Sequence, residues 1–130
     1  MKTLVITGML TLLAVLSISA DTASSKEMPR DRKSVENVDD TIAYLLDCVS
    51  KSELTFVRNG DSHTGIEASA HFKNKYQHFR NTIKTPEEFI QLAATKSMVT
   101  GQPYLVKQLD GKEILCAEWL GKILADHRKR

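Results

Sequence analysis

Glu67 and His71 stand four residues apart on a segment whose apolar residues repeat with helical spacing, and His78 follows two turns later on the same face. A carboxylate and an imidazole at that spacing serve two kinds of chemistry: a general base steered by its neighbour, or half of a zinc site. Zinc needs at least three convergent ligands, and the fuller HExxH pattern is absent, so no metal is expected. The simplest state of the pair is a weak ion pair on a solvated helix face. Arg58, just ahead of Asn59-Gly60, offers a forked cation to a carboxylate or phosphate, with Asp61 as its local cross-strand partner. Lys75 flanks the same helix face. Arg58, Asn59, Glu67, His71, Lys75 and His78 are therefore the candidate binding residues. In an enzyme built from them, Glu67 or His71 would be the base and Arg58 or Lys75 would steady an anion.

Other chemistry lacks its context. Ser34, Ser50, Ser52, Ser62, Ser69 and Ser97 lie in neither a GxSxG nor an SxxK pattern, and no glycine-rich phosphate loop exists. No catalytic set is complete and no cofactor is expected. His63 is titratable near neutrality without an assigned purpose, Tyr104 is expected as a core or rim aromatic, and Trp119 as a core anchor. The two cysteines, Cys48 and Cys116, are not in a CxxC pattern; in an oxidising compartment they are a candidate disulfide closing a loop of 68 residues.

The elements that must position these groups are marked by periodicity and punctuation. Val35, Val38, Ile42, Leu45, Leu46 and Val49 form one stripe of a first helix. Leu54 to Arg58 is a strand, Asn59-Gly60 suits a type I′ turn, and the return arm through Thr64 sets Arg58 opposite Asp61, Val57 opposite Ser62 and Phe56 opposite His63. The return arm is polar and belongs at a sheet edge. A second helix is predicted from Ile66 to Ile83, with Ala68, Phe72, Tyr76, Phe79 and Ile83 inside and Glu67, His71, Asn74 and His78 outside. Thr85-Pro86-Glu87-Glu88 is a capping box that starts a third helix. Asp110-Gly111 repeats the hairpin signal between Tyr104–Leu109 and Lys112–Leu115, and a last helix carries Trp119, Leu120, Ile123 and Leu124. The fold class is α+β, a small antiparallel sheet from two hairpins packed with four helices in the order α-ββ-α-α-ββ-α.

Ahead of this domain, expected over residues 37–130, lie two other segments. Lys2, the apolar run from Leu4 to Leu16 and the small residues Ser17 to Ala20 form a signal peptide over residues 1–20, with cleavage after Ala20. Residues 21–36 are polar and read as a flexible leader. The address is export, with no transmembrane segment once the signal is removed. Loss of Lys2 leaves 17 basic against 16 acidic residues, a net charge of +1, which argues against a nucleic-acid partner. The basic end, Arg128-Lys129-Arg130, suits the negative pole of the last helix.

Tyr44-Leu45-Leu46, Thr55 to Gly60, Glu67-Ala68, Ala70-His71-Phe72, Lys75, Thr85 to Ile90, Pro103-Tyr104 and Trp119-Leu120 together resemble the family of small exported bacterial proteins known as domain of unknown function 5329. The similarity spans about Val38 to Leu124. It implies a periplasmic address and one shared motif of Arg58, Asn59, Glu67, His71 and Lys75, and it carries no established activity. Members of that family often hold a cysteine just before the Thr-Phe of the first strand, where this chain has Leu54. The leading expectation is a non-enzymatic periplasmic interaction module for a protein or small molecule, using the hairpin and the polar helix face. The alternatives are a small hydrolase or lyase on the Glu67/His71 face, and a structural accessory.

Overall fold

The structure, a computed structural model, describes residues 35–130; the expected signal peptide and nearly all of the leader lie outside them. Asn37 starts the first helix, α1 (Val38–Lys51), by accepting the Asp40 N–H on its side chain at 3.1 Å. Asp39 and Asp40 in the first turn and Lys51 in the last complement the helix dipole. Ile42, Leu45 and Val49 are the buried stripe. Val35, expected to begin that stripe, is 93% exposed, because it precedes the cap and never joins the helix.

Strands β1 (Thr55–Arg58) and β2 (Asp61–His63) pair as Phe56↔His63, Val57↔Ser62 and Arg58↔Asp61, the register that the turn dipeptide implies. Asn59 and Gly60 carry it with φ of 53° and 84°. The Thr64 hydroxyl then accepts the Glu67 N–H at 3.2 Å and caps α2 (Gly65–His78). Gly65 is required there by space: a Cβ would lie 2.2 Å from the Val49 carbonyl oxygen and 2.8 Å from that of Ser52. The start of α2 is thus pressed against the end of α1, and the Ser69 hydroxyl donates to the Leu46 carbonyl at 2.9 Å along the same contact.

Helix α2 stops at His78 and does not run to Ile83. From Phe79 the chain turns, with the Thr82 and Ile83 N–H groups both donating to the Phe79 carbonyl at 2.8 and 3.0 Å. Asn81 and Thr82 are weak helix formers, and the turn still delivers Ile83 to the core. The third helix, α3 (Pro86–Ala93), begins at the capping box, where the Thr85 hydroxyl accepts the Glu88 N–H at 3.1 Å and Pro86 occupies the first turn. A second hairpin, β3 (Leu105–Lys107) and β4 (Glu113–Leu115), leads into α4 (Cys116–Arg128).

The four strands form one antiparallel sheet in the order β2-β1-β3-β4, joined at its centre by Phe56↔Val106 and Val57↔Leu105. The fold is α+β in the expected element order. Phe56, Phe72, Phe89, Val106 and Leu120 fill the core between sheet and helices, and Trp119 packs edge-on to Phe56 at 5.5 Å between ring centroids.

The disulfide expectation is not met: Cys48 and Cys116 are both free thiols. Cys116 begins α4 wholly buried, where burial pushes its thiol up to about 12, and Cys48 sits half-buried beside the Tyr44 hydroxyl. Arg128 does more than face the end of its helix. It donates to Glu36 at 3.0 and 2.8 Å and to Glu87 at 3.0 Å, and these hydrogen bonds hold both carboxyls below their usual range.

Candidate functional site

The hairpin and α2 do not close on one another completely. Between them lies a recess of about 410 Å³, within the size range of small-molecule pockets. Alternation along β1 turns Phe56 into the core, and Arg58, two residues on, reaches the recess from the same strand. Across from it, helical spacing brings Glu67, His71 and Asn74 onto one side of α2 together with the apolar Ala68 and Phe72. His63 enters from β2 and Tyr104 from the residue before β3. Beyond Arg58, His71 and Tyr104 a second recess of about 310 Å³ opens, bounded by Asn59, Lys75 and the segment Ser97 to Val99. The three shared residues form the wall between the two spaces.

That wall is a hydrogen-bonded cluster centred on Tyr104, which is buried. Its hydroxyl lies 2.9 Å from His71 Nε2 and 3.2 Å from Lys75 Nζ. Lys75, also buried, donates to the Lys96 carbonyl at 2.9 Å and lies over the Tyr104 ring at 5.0 Å from its centroid. An ammonium can only donate, so the phenol oxygen accepts from Lys75 and its own proton is free to point to His71 Nε2. In that arrangement His71 is a neutral ring with its proton on Nδ1; an Nε2–H tautomer donating to the second lone pair of the phenol oxygen fits the same distances. The electrostatics agree: burial first, then Arg58, Lys75 and His63, bring the His71 pKa down to about 4. Burial, followed by Arg58, lowers Lys75, and burial raises Tyr104.

The stripe expected on the solvated face is therefore divided. His71 and Lys75 turn inward, Glu67 stays exposed at the rim of the recess, and His78 is exposed at the last turn of α2 against Phe79, lining neither space. Glu67 pairs with His63, not His71: Oε1 lies 3.5 Å from His63 Nδ1. The other ring nitrogen, His63 Nε2, is buried with no hydrogen-bond partner in the structure. Arg58 faces Asp61 in register, yet among the described residues it forms no ion pair. Its expected structural partner leaves it free.

Asn59 has a structural role. Besides its left-handed backbone, it donates from Nδ2 to the Ser97 hydroxyl at 3.4 Å and accepts from the Thr100 hydroxyl, tying the hairpin tip to the segment before β3. Ser97 is buried and accepts the Val99 and Thr100 N–H groups, so it organises a turn. Tyr104 is the residue that sequence reasoning underrated, as its proximity to α2 depends on the β1–β3 pairing. Among the described residues no group of three His, Cys, Asp or Glu side chains is placed to hold a metal ion.

Among the described residues, the lining offers one arginine without an ion-pair partner around a largely apolar space. It also gives the hydrolase reading its proximity, since Arg58 and His71 line the same recess, while His71 Nε2 is engaged with the Tyr104 hydroxyl.

A model described as a family of unknown function, DUF5329, matches residues 36–128. An uncharacterised protein of Salmonella typhimurium, YfeK, is 48% identical over 62 residues, covering 48% of this chain and 52% of that protein. The chain thus spans about half the length of the curated relative it matches. No solved structure matches.

Proposed function

The chain belongs to DUF5329, a family of unknown function, and from that premise we propose that it is an exported, non-enzymatic periplasmic module that binds a small molecule in the recess between the hairpin and α2. The observation that carries the reading is the combination of an apolar recess with an arginine at its wall that forms no ion pair among the described residues. A solvated stripe would suit a protein partner, whereas side chains turned into a concavity suit a ligand that enters it. Export rests on the residues themselves: the apolar run Leu4 to Leu16 and the small residues up to Ala20. No helix among the described residues is long and apolar enough to cross a membrane. The non-enzymatic reading is supported by the wall cluster, where His71 Nε2 is engaged with the Tyr104 hydroxyl and the ring is held a weak base, its pKa brought down to about 4.

Two measurements test this. Protein recovered from the periplasmic fraction of an expressing Gram-negative cell is expected to begin at Asp21 by intact mass; an unprocessed chain retained in the cytoplasm overturns the address. In ligand-observed and ring-proton NMR, small organic probes are expected to shift the His71 and Tyr104 resonances of the folded domain. If neutral, cationic and anionic probes all leave those rings unmoved, the recess is not a binding site.

A further inference from the structure

Resting on that reading, we propose that the recess selects a small organic monoanion, a carboxylate on an apolar body, with the carboxylate held by Arg58 and the body lying along Phe56, Val57, Ala68 and Phe72. The charge inventory decides the valence. Lys75 is already committed to the Lys96 carbonyl and the Tyr104 hydroxyl, behind the wall. Glu67, exposed at the rim, is turned away to His63, its Oε1 3.5 Å from Nδ1. Arg58 is what remains, a single cation with a planar fork that matches a carboxylate. One free positive charge at the edge of an apolar space suits a monoanion; a dianion such as a phosphate monoester would leave one charge unmatched and partly desolvated.

His63, which also lines the recess, is not part of the clamp: its Nε2 is buried and its Nδ1 is turned to Glu67. The walls then set the rest of the molecule. Phe56, Phe72 and Ala68 offer no hydrogen bond, so the body that fits against them is hydrocarbon.

The test is titration calorimetry of the processed chain with octanoate, octanol, octylamine and octyl phosphate, repeated on Arg58→Met, Arg58→Lys and His63→Gln after each variant's thermal melt is recorded. Octanoate is expected to bind at least about tenfold more tightly than octanol or octyl phosphate. Arg58→Met is expected to erase that preference, Arg58→Lys to weaken octanoate several-fold while keeping its charge preference, and His63→Gln to leave the preference for octanoate over octanol in place, since the charge is read by Arg58. Equal binding of octanol and octanoate, or tighter binding of octyl phosphate, overturns the monoanion assignment while leaving the recess as a small-molecule site. Should no probe bind the wild-type chain, the assignment and the underlying site both fall. If Arg58→Met does not fold, the wild-type series and Arg58→Lys still decide the matter.

Discussion

Arg58 and Arg128 are held in opposite ways. Arg128, at the end of α4, is clasped by Glu36 and Glu87 through several hydrogen bonds, so that both carboxylates share one guanidinium. Arg58, at the end of β1, faces two further basic groups, His71 and Lys75, and no carboxylate pairs with it among the described residues. The first arginine is used to hold the fold; the second is kept available at some cost to it. The unpaired one lies at the recess, where the proposed ligand would supply the partner that the described residues do not.

The comparison can be broken most forcefully at the base of α2, which aims Glu67, His71 and Lys75 toward Arg58. Gly65→Ala drives a Cβ to 2.2 Å from the Val49 carbonyl oxygen, so that α2 must shift or the domain unfold. The expected loss is about 3 kcal/mol by urea denaturation, with the recess disordered before the Arg128 corner. Wild-type stability would mean that α2 is not anchored where its first residue sits.

Acid separates the two regions by pH. The folded pKa of His71 is about 4 against an ordinary 6.5, so between those values the unfolded chain takes up a proton that the folded domain refuses. Its contribution is whole above pH 6.5, declines as the pH falls, and levels off below about 4. Because the ring is part-exposed the full shift is not realised, and a decline of about 1–2 kcal/mol is expected. Glu36 and Glu87 respond later, below their ordinary value of 4.5, since their depressed carboxyls lose stability only as they are protonated. Denaturation midpoints between pH 7 and 5 should therefore slope in the wild type and flatten in His71→Gln; an unchanged slope assigns the effect elsewhere.

The smallest effect sharpens the contrast directly. Arg128→Met is expected to cost about 1 kcal/mol, because it strands two glutamates that share one partner. Arg58→Met is expected to stay within about 0.5 kcal/mol of wild type, or to gain slightly by relieving Lys75 and His71. Equal losses for the two variants would mean that Arg58 is as much a structural residue as Arg128.

Local chemistry was what the sequence could disclose. Asn59-Gly60 set the β1–β2 register residue by residue, and Thr85 to Glu88 marked the start of α3, because both signals act within four residues. The candidate site was legible in part: Arg58, Glu67 and His71 do line one recess. What stayed hidden depends on contacts distant in sequence. Tyr104 comes to α2 only through the pairing of β1 with β3, and Lys75 is drawn inward by that phenol and by the Lys96 carbonyl, which no periodicity encodes. The end of α2 was misjudged because Ile83 keeps helical spacing although the backbone has already turned.

The clasp of Arg128 on Glu36 joins residues 92 positions apart, from either end of the folded unit. The first and last turns of the domain are therefore neighbours in space, the geometry that permits circular permutation. Joining them by a short linker and opening the chain at the exposed Asp110-Gly111 turn would leave the recess, its arginine and its wall intact. The same adjacency suits the domain to insertion into a surface loop of another protein, where it would occupy little more room than the loop it replaced.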